Sequence, residues 1–119
     1  PWLALARDSE QQIDAQLLKG KALWGLKRYQ ETTAVADSLA DLGKTKPAAW
    51  NALLALAETA FADRSFESAE PLFTKVGNQQ SNVAVVEAGR AGAAWCQFEA
   101  GRFEAAASSF LKLSDSFTQ

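Results

Sequence analysis

The chain has 119 residues, 48% of them hydrophobic and 22% charged, with a net charge of −2. This is one domain's worth of chain, able to bury about two-thirds of its unfolded surface, and its composition excludes a disordered protein. The acidic balance argues against nucleic acid or anionic lipid as a partner; no histidine and a single cysteine, Cys96, leave no His-based acid–base chemistry, Cys/His zinc site or internal disulfide.

Helical periodicity and turn signals alternate along the chain, with no strand-like alternation. A first helix is predicted over about residues 9–27. Ser9 and Gln12 would open it as a capping box, each side chain bonding a free backbone donor of the other residue. A second is predicted over 28–42, stopping at Gly43 as a left-handed C-cap. Pro47 suits the first turn of a third, reaching about residue 62. A tight turn at 63–65 leads into a fourth over 66–76. There Pro71 leaves two readings open. With Ser65 as the cap it removes an interior hydrogen bond; with Ser68 as the cap it falls in the tolerant first turn. After a loop at 77–82, a fifth helix is predicted over 83–99, and after a turn at 100–102 a sixth over 103–117. Such short turns within pairs force antiparallel neighbours. No window of about 18 uncharged apolar residues occurs, so no membrane span is expected.

Tyr29, Phe66 and Phe103 are spaced 37 residues apart, and each opens the same pattern. The small residues Thr32, Ala69 and Ala106 follow, then Ala36, Phe73 and Phe110, then Leu39, Val76 and Leu113. A fixed period of this size marks a repeat array. One period before Leu39 stands Trp2. Residues 1–7 therefore read as the tail of a preceding repeat, and 9–43, 46–77 and 82–118 as repeats 1 to 3. With no methionine and an apolar Trp2 at its start, the chain is expected to be a piece of a longer array.

Three segments carry a resemblance. Ala69-x₃-Phe73 and Ala106-x₃-Phe110 match a small-then-aromatic second helix, Gly101-Arg102-Phe103-Glu104 an inter-helix turn, and Gly20-Lys21-Ala22-Leu23 part of a first helix. Together they resemble the tetratricopeptide repeat (TPR), over about 105 residues. Gln16, Leu53 and Arg90 depart from it, standing where the family favours tryptophan. The resemblance implies an all-α, TPR-like solenoid of helical hairpins wound into a right-handed superhelix, with the first helices lining a concave groove that holds protein or peptide segments. The 37-residue unit is longer than usual. It is similar to the repeats of bacterial envelope proteins, of the Tol-Pal-associated and outer-membrane assembly types, which tilts the expected compartment toward the periplasm. A lone cysteine fits a reducing compartment as well.

A second column has the same period: Trp24, Phe61 and Phe98. Trp95 precedes Phe98 by three residues, so the two share a helix face. With Lys21 and Glu58 these rings make the candidate partner-binding groove, gripping an apolar or extended peptide. The alternative is that the rings pack against the adjacent repeat. A carboxylate clamp is not expected, because the matching positions read Leu17, Lys21, Leu54, Glu58, Ala91 and Trp95. Cys96, in a run of small and aromatic residues, reads as a buried small hydrophobe. Asp37 and Asp41 read as surface charge rather than a catalytic pair. No phosphate loop, nucleophile–base set or metal-ligand cluster occurs. The expected function is thus a non-enzymatic protein-interaction scaffold without a cofactor. The alternative is a structural spacer or homo-oligomerisation module joined through exposed repeat ends.

Overall fold

The computed structural model of the chain describes residues 2–118, with side chains described for residues 10–114. Six α-helices run in series: α1 (Trp2–Gly25), α2 (Tyr29–Gly43), α3 (Ala48–Ala62), α4 (Phe66–Asn78), α5 (Val86–Glu99) and α6 (Phe103–Thr118). One turn of 3-10 helix, Val83–Val85, leads into α5, and no strand occurs among the described residues. The protein is all-α.

The pairs α1–α2, α3–α4 and α5–α6 are hairpins closed by one repeated turn. Helices end at Gly25, Ala62 and Glu99 and restart at Tyr29, Phe66 and Phe103, each step being 37 residues. The residue that reverses the chain is left-handed every time: Lys27 at φ 63°, Arg64 at 62° and Gly101 at 85°. The hydrogen bonds repeat too. Arg28, Ser65 and Arg102 donate their backbone N–H groups to the carbonyls of Leu23, Ala60 and Gln97 at 2.9, 3.1 and 2.9 Å. Lys27, Arg64 and Gly101 donate to Trp24, Phe61 and Phe98 at 2.9, 2.9 and 3.0 Å. This is the Schellman pattern, which satisfies carbonyls a helix end otherwise leaves free.

Within each hairpin the small column Thr32, Ala69 and Ala106 is buried, as is the apolar column Leu39, Val76 and Leu113. Between hairpins, α3 packs on α1 and α2, while α5 packs on α4 and touches α3. Leu39, Leu53 and Leu56 are fully buried along the first of these junctions. Each such side chain contributes about 1.5–3 kcal/mol relative to exposure. The second junction replaces leucine bulk with close approach. A Cβ on Gly89 would come within 2.5 Å of the Gly77 backbone nitrogen, and one on Gly92 would collide with the Phe73 ring. The cost of glycine in α5, about 1 kcal/mol each against alanine, is thus offset by packing against α4.

Four sequence expectations change. α1 runs unbroken through Ser9, so no helix end exists there for a capping box. Leu3 to Arg7 are good helix formers with no glycine or proline to stop them. Residues 2–7, assigned to a preceding repeat, are continuous with α1. The Trp2 side chain lies outside the described residues. Gly43 is the last residue of α2 rather than a left-handed cap. Its hydrogen is required because the Trp50 indole occupies that side, donating Nε1–H to the Gly43 carbonyl at 3.0 Å. α4 starts after Ser65, which places Pro71 inside the helix on its exposed side. The third helix pair begins with the 3-10 turn instead of a continuous α-helix from Val83.

Candidate functional site

The two aromatic columns meet at the closed end of each hairpin. Trp24 contacts Tyr29, Phe61 contacts Phe66, and Phe98 contacts Phe103, at centroid separations of 4.8, 5.2 and 5.3 Å. The Schellman turn causes this, because it folds the residue three before the reversal against the residue two after it. The column Trp24, Phe61 and Phe98 is therefore first a hairpin clasp.

Its three members differ in what covers them. Trp24 is buried, and its indole Nε1–H donates to the Asp63 carboxylate in the turn of the next hairpin. Phe61 is half-buried, set between Phe66 and the edge of Phe73, whose centroid is 6.2 Å away. Phe98 stands 45% exposed. Trp24 is covered from the following hairpin by Asp63, whereas Phe61 is covered by rings of its own hairpin. Trp24 is consequently not on a free surface, and the candidate groove does not form as one continuous aromatic strip. Lys21 and Glu58 are exposed.

Trp95 and Phe98 do come together, with centroids 5.8 Å apart in an edge-on arrangement. Sequence reasoning missed what they join. Trp95 also packs edge-on against Phe110 of α6 at 5.5 Å, and Phe98 against Phe103. With Ala106 and Ala107 these four rings line one apolar depression on the outer face of α5–α6. Trp95, Phe98, Phe103 and the neighbouring Leu111 are all exposed. The signal for this grouping was present in the period, since Phe110 corresponds to Phe73, which is buried against α5.

Charged groups act as struts between hairpins. Lys75 Nζ lies 2.7 Å from Asp37 Oδ1, joining α4 to α2. Arg102 pairs with Glu70, which also accepts from Gln97 Nε2 at 3.1 Å. Such exposed pairs contribute at most about 1 kcal/mol. Cys96 is fully buried; burial first, and then the Glu70 charge, push its thiol up from an ordinary 9.0 to about 11. That disfavours the thiolate and with it nucleophilic or redox reactivity.

Between α4 and α6 a polar crevice of about 330 Å³ is lined by Thr74, Asn78, Arg90, Gln97, Ser109 and Lys112, among others. One period earlier, the places of Arg90 and Ser109 hold the buried Leu53 and Leu72. Among the described residues no three His, Cys, Asp or Glu side chains converge on a metal position, and no helix is long and apolar enough to cross a membrane.

The fold and this site define an all-α protein of serial helical hairpins with one open aromatic face. Compared with protein-family models, with curated proteins and with solved structures, the chain matches none.

Proposed function

We propose that this chain is a non-catalytic protein-interaction scaffold, a TPR-like solenoid whose working surface is the open face of its last hairpin. The observation that carries the reading is the cluster Trp95, Phe98, Phe103 and Phe110, four rings on one surface with three of them exposed. Rigid aromatic groups at the centre of an apolar patch are typical anchors at interfaces, and each costs roughly 2 kcal/mol or more when truncated. On the earlier hairpins the equivalents of Phe110, Ala36 and Phe73, are buried, whereas those of Trp95, Lys21 and Glu58, are exposed; an apolar depression bounded by two helices suits a packed helix from another protein segment. The partner lies against α5–α6, and Lys21 and Glu58 take no central part.

The test uses a photo-crosslinking residue at position 103 to capture the partner, followed by affinity measurement on purified components. The double variant Trp95→Ala/Phe98→Ala, shown folded by circular dichroism, is expected to lose at least tenfold in affinity, about 1.4 kcal/mol. Unchanged affinity removes this surface from the function. The 37-residue unit also supports, by analogy alone, a place among bacterial envelope scaffolds.

A further inference from the structure

The polar crevice between α4 and α6 lies inside the second junction, with α5 as its third side. One period earlier the same places belong to α2, α3 and α4, so the chain carries its own comparison. There Leu53, Leu56, Ala60 and Leu72 are all buried. Here the same places hold Arg90, Ala93, Gln97 and Ser109. Polar side chains stand at three of them, and alanine replaces the bulk of Leu56 at the fourth. Apolar burial, the main driving force at such a junction, is lost there, and a crevice of about 330 Å³ is left. Departures of this kind from a chain's own pattern gather at functional sites.

The charges differ as well. Thr74 and Asn78 stand where the first junction has Asp37 and Asp41. The crevice is lined by two cations, Arg90 and Lys112, and by no carboxylate. Arg90 Nε–H donates to the Gly77 carbonyl at 3.2 Å, which holds the guanidinium at the solvent edge of the crevice. No other hydrogen bond or ion pair engages that guanidinium among the described residues, so its remaining donors are open to an oxyanion. Ser109 Oγ–H donates to Gln97 Oε1 at 2.9 Å, and Thr74 Oγ1–H to the Glu70 carbonyl at 2.9 Å. Both hydroxyl protons are committed, so these two oxygens meet a ligand as acceptors. The Glu70 carboxylate, which holds Gln97 Nε2 at 3.1 Å, is neutralised by Arg102.

We propose that this crevice is a binding site for a small organic oxyanion, a carboxylate or phosphate that also carries a hydroxyl group. The charged end pairs with Arg90, whose planar fork matches two oxygens, in the field of Lys112. The hydroxyl donates to Ser109 or Thr74. Ligand pockets run from roughly 300 to 1,000 Å³, and this one is at the small end, which suits a molecule of a few carbon atoms rather than a peptide segment. The crevice shares no lining residue with the aromatic depression. The site therefore stands apart from the interaction surface proposed above.

The test is a titration of the chain at constant ionic strength, followed by NMR through the side-chain amide resonances of Gln97. Malate and glycerol 3-phosphate are the probes, and the tighter of the two identifies the oxyanion as carboxylate or phosphate. At least one is expected to shift Gln97 saturably, with a Kd of about 1 mM or tighter. Succinate and inorganic phosphate, the counterparts without a hydroxyl, are expected to bind at least ~threefold more weakly. Arg90→Leu restores the residue type of the first junction and is expected to lose at least ~tenfold in affinity while keeping its helical circular dichroism. Lys112→Gln, at an exposed position, is expected to lose ~threefold, and it decides the matter if Arg90→Leu does not fold. The proposal is overturned if neither probe shifts Gln97 saturably, or if the counterparts bind as tightly as the probes. It is equally overturned if the folded variants bind like the wild type.

Discussion

The ring of Phe73 fills the space that a side chain at residue 92 would need, so Gly92 is what lets α5 lie on α4. One period earlier the same two places hold Ala36 and Ala55. The second junction thus sets a large ring against a residue with no side chain.

Gly92→Ala tests this directly. Alanine raises helix propensity by about 1 kcal/mol, but three ring atoms of Phe73 stand in the way of its methyl group. Overpacking of this kind costs typically ~1–3 kcal/mol, so we expect a net loss measured by urea unfolding. The penalty is expected to shrink in a Phe73→Leu background, because the two residues share one space. A more stable Gly92→Ala chain contradicts the packing.

The repeated turn carries its own prediction. Lys27 and Arg64 hold the left-handed conformation that Gly101 holds at the third turn. A side chain there costs roughly 1–2 kcal/mol, part of which glycine's greater freedom in the unfolded chain takes back. Lys27→Gly is expected to stabilise the protein by ~0.5–1 kcal/mol, seen as a raised thermal midpoint. Arg64→Gly is expected to gain less, because its guanidinium lies 5.7 Å from the Phe66 ring centroid and that contact is lost.

The period of Tyr29, Phe66 and Phe103 makes the helix pairs legible in the amino-acid sequence, and four of the six helices both start and stop within about two residues of where its turn signals put them. The all-α class follows from the same signal. What the sequence did not disclose lay in tertiary context. Gly43 looks like a C-cap until Trp50, seven residues on, is seen to occupy its side. Ser9 looks like an N-cap because capping residues are common, and only the continuous helix around it shows otherwise. Trp24, Phe61 and Phe98 are equivalent in sequence but not in burial, because different side chains cover each ring once the helices pack. Phe110 joined the candidate site only once the fold brought α6 beside Trp95.

Cys96 yields a pH prediction. Its folded pKa, about 11, lies above the ordinary 9.0 of an exposed thiol. The unfolded chain therefore releases this proton first. The associated stability is fully present below pH 9 and is lost as pH rises through 11. The loss is on the order of 2 kcal/mol. The quantity to measure is the stability difference between wild type and Cys96→Ala. That difference is expected to move in favour of the variant across this range. A constant difference contradicts a buried, protonated thiol. Below pH 9 an aromatic disulfide reagent is expected to label Cys96 only as fast as the protein opens.

The central claim is that Trp95 belongs to a surface that is open in the monomer and covered in the complex. Its most direct measurement is the broadening of the tryptophan indole resonances by a neutral soluble gadolinium chelate, with Trp95 assigned from the Trp95→Phe spectrum. In dilute protein Trp95, at 48% exposure, is expected to broaden strongly while Trp24 and Trp50, each at 6%, do not. With the captured partner bound, Trp95 is expected to become protected. A Trp95 signal already protected in the dilute monomer, or one still broadened in the assembled state, contradicts the account.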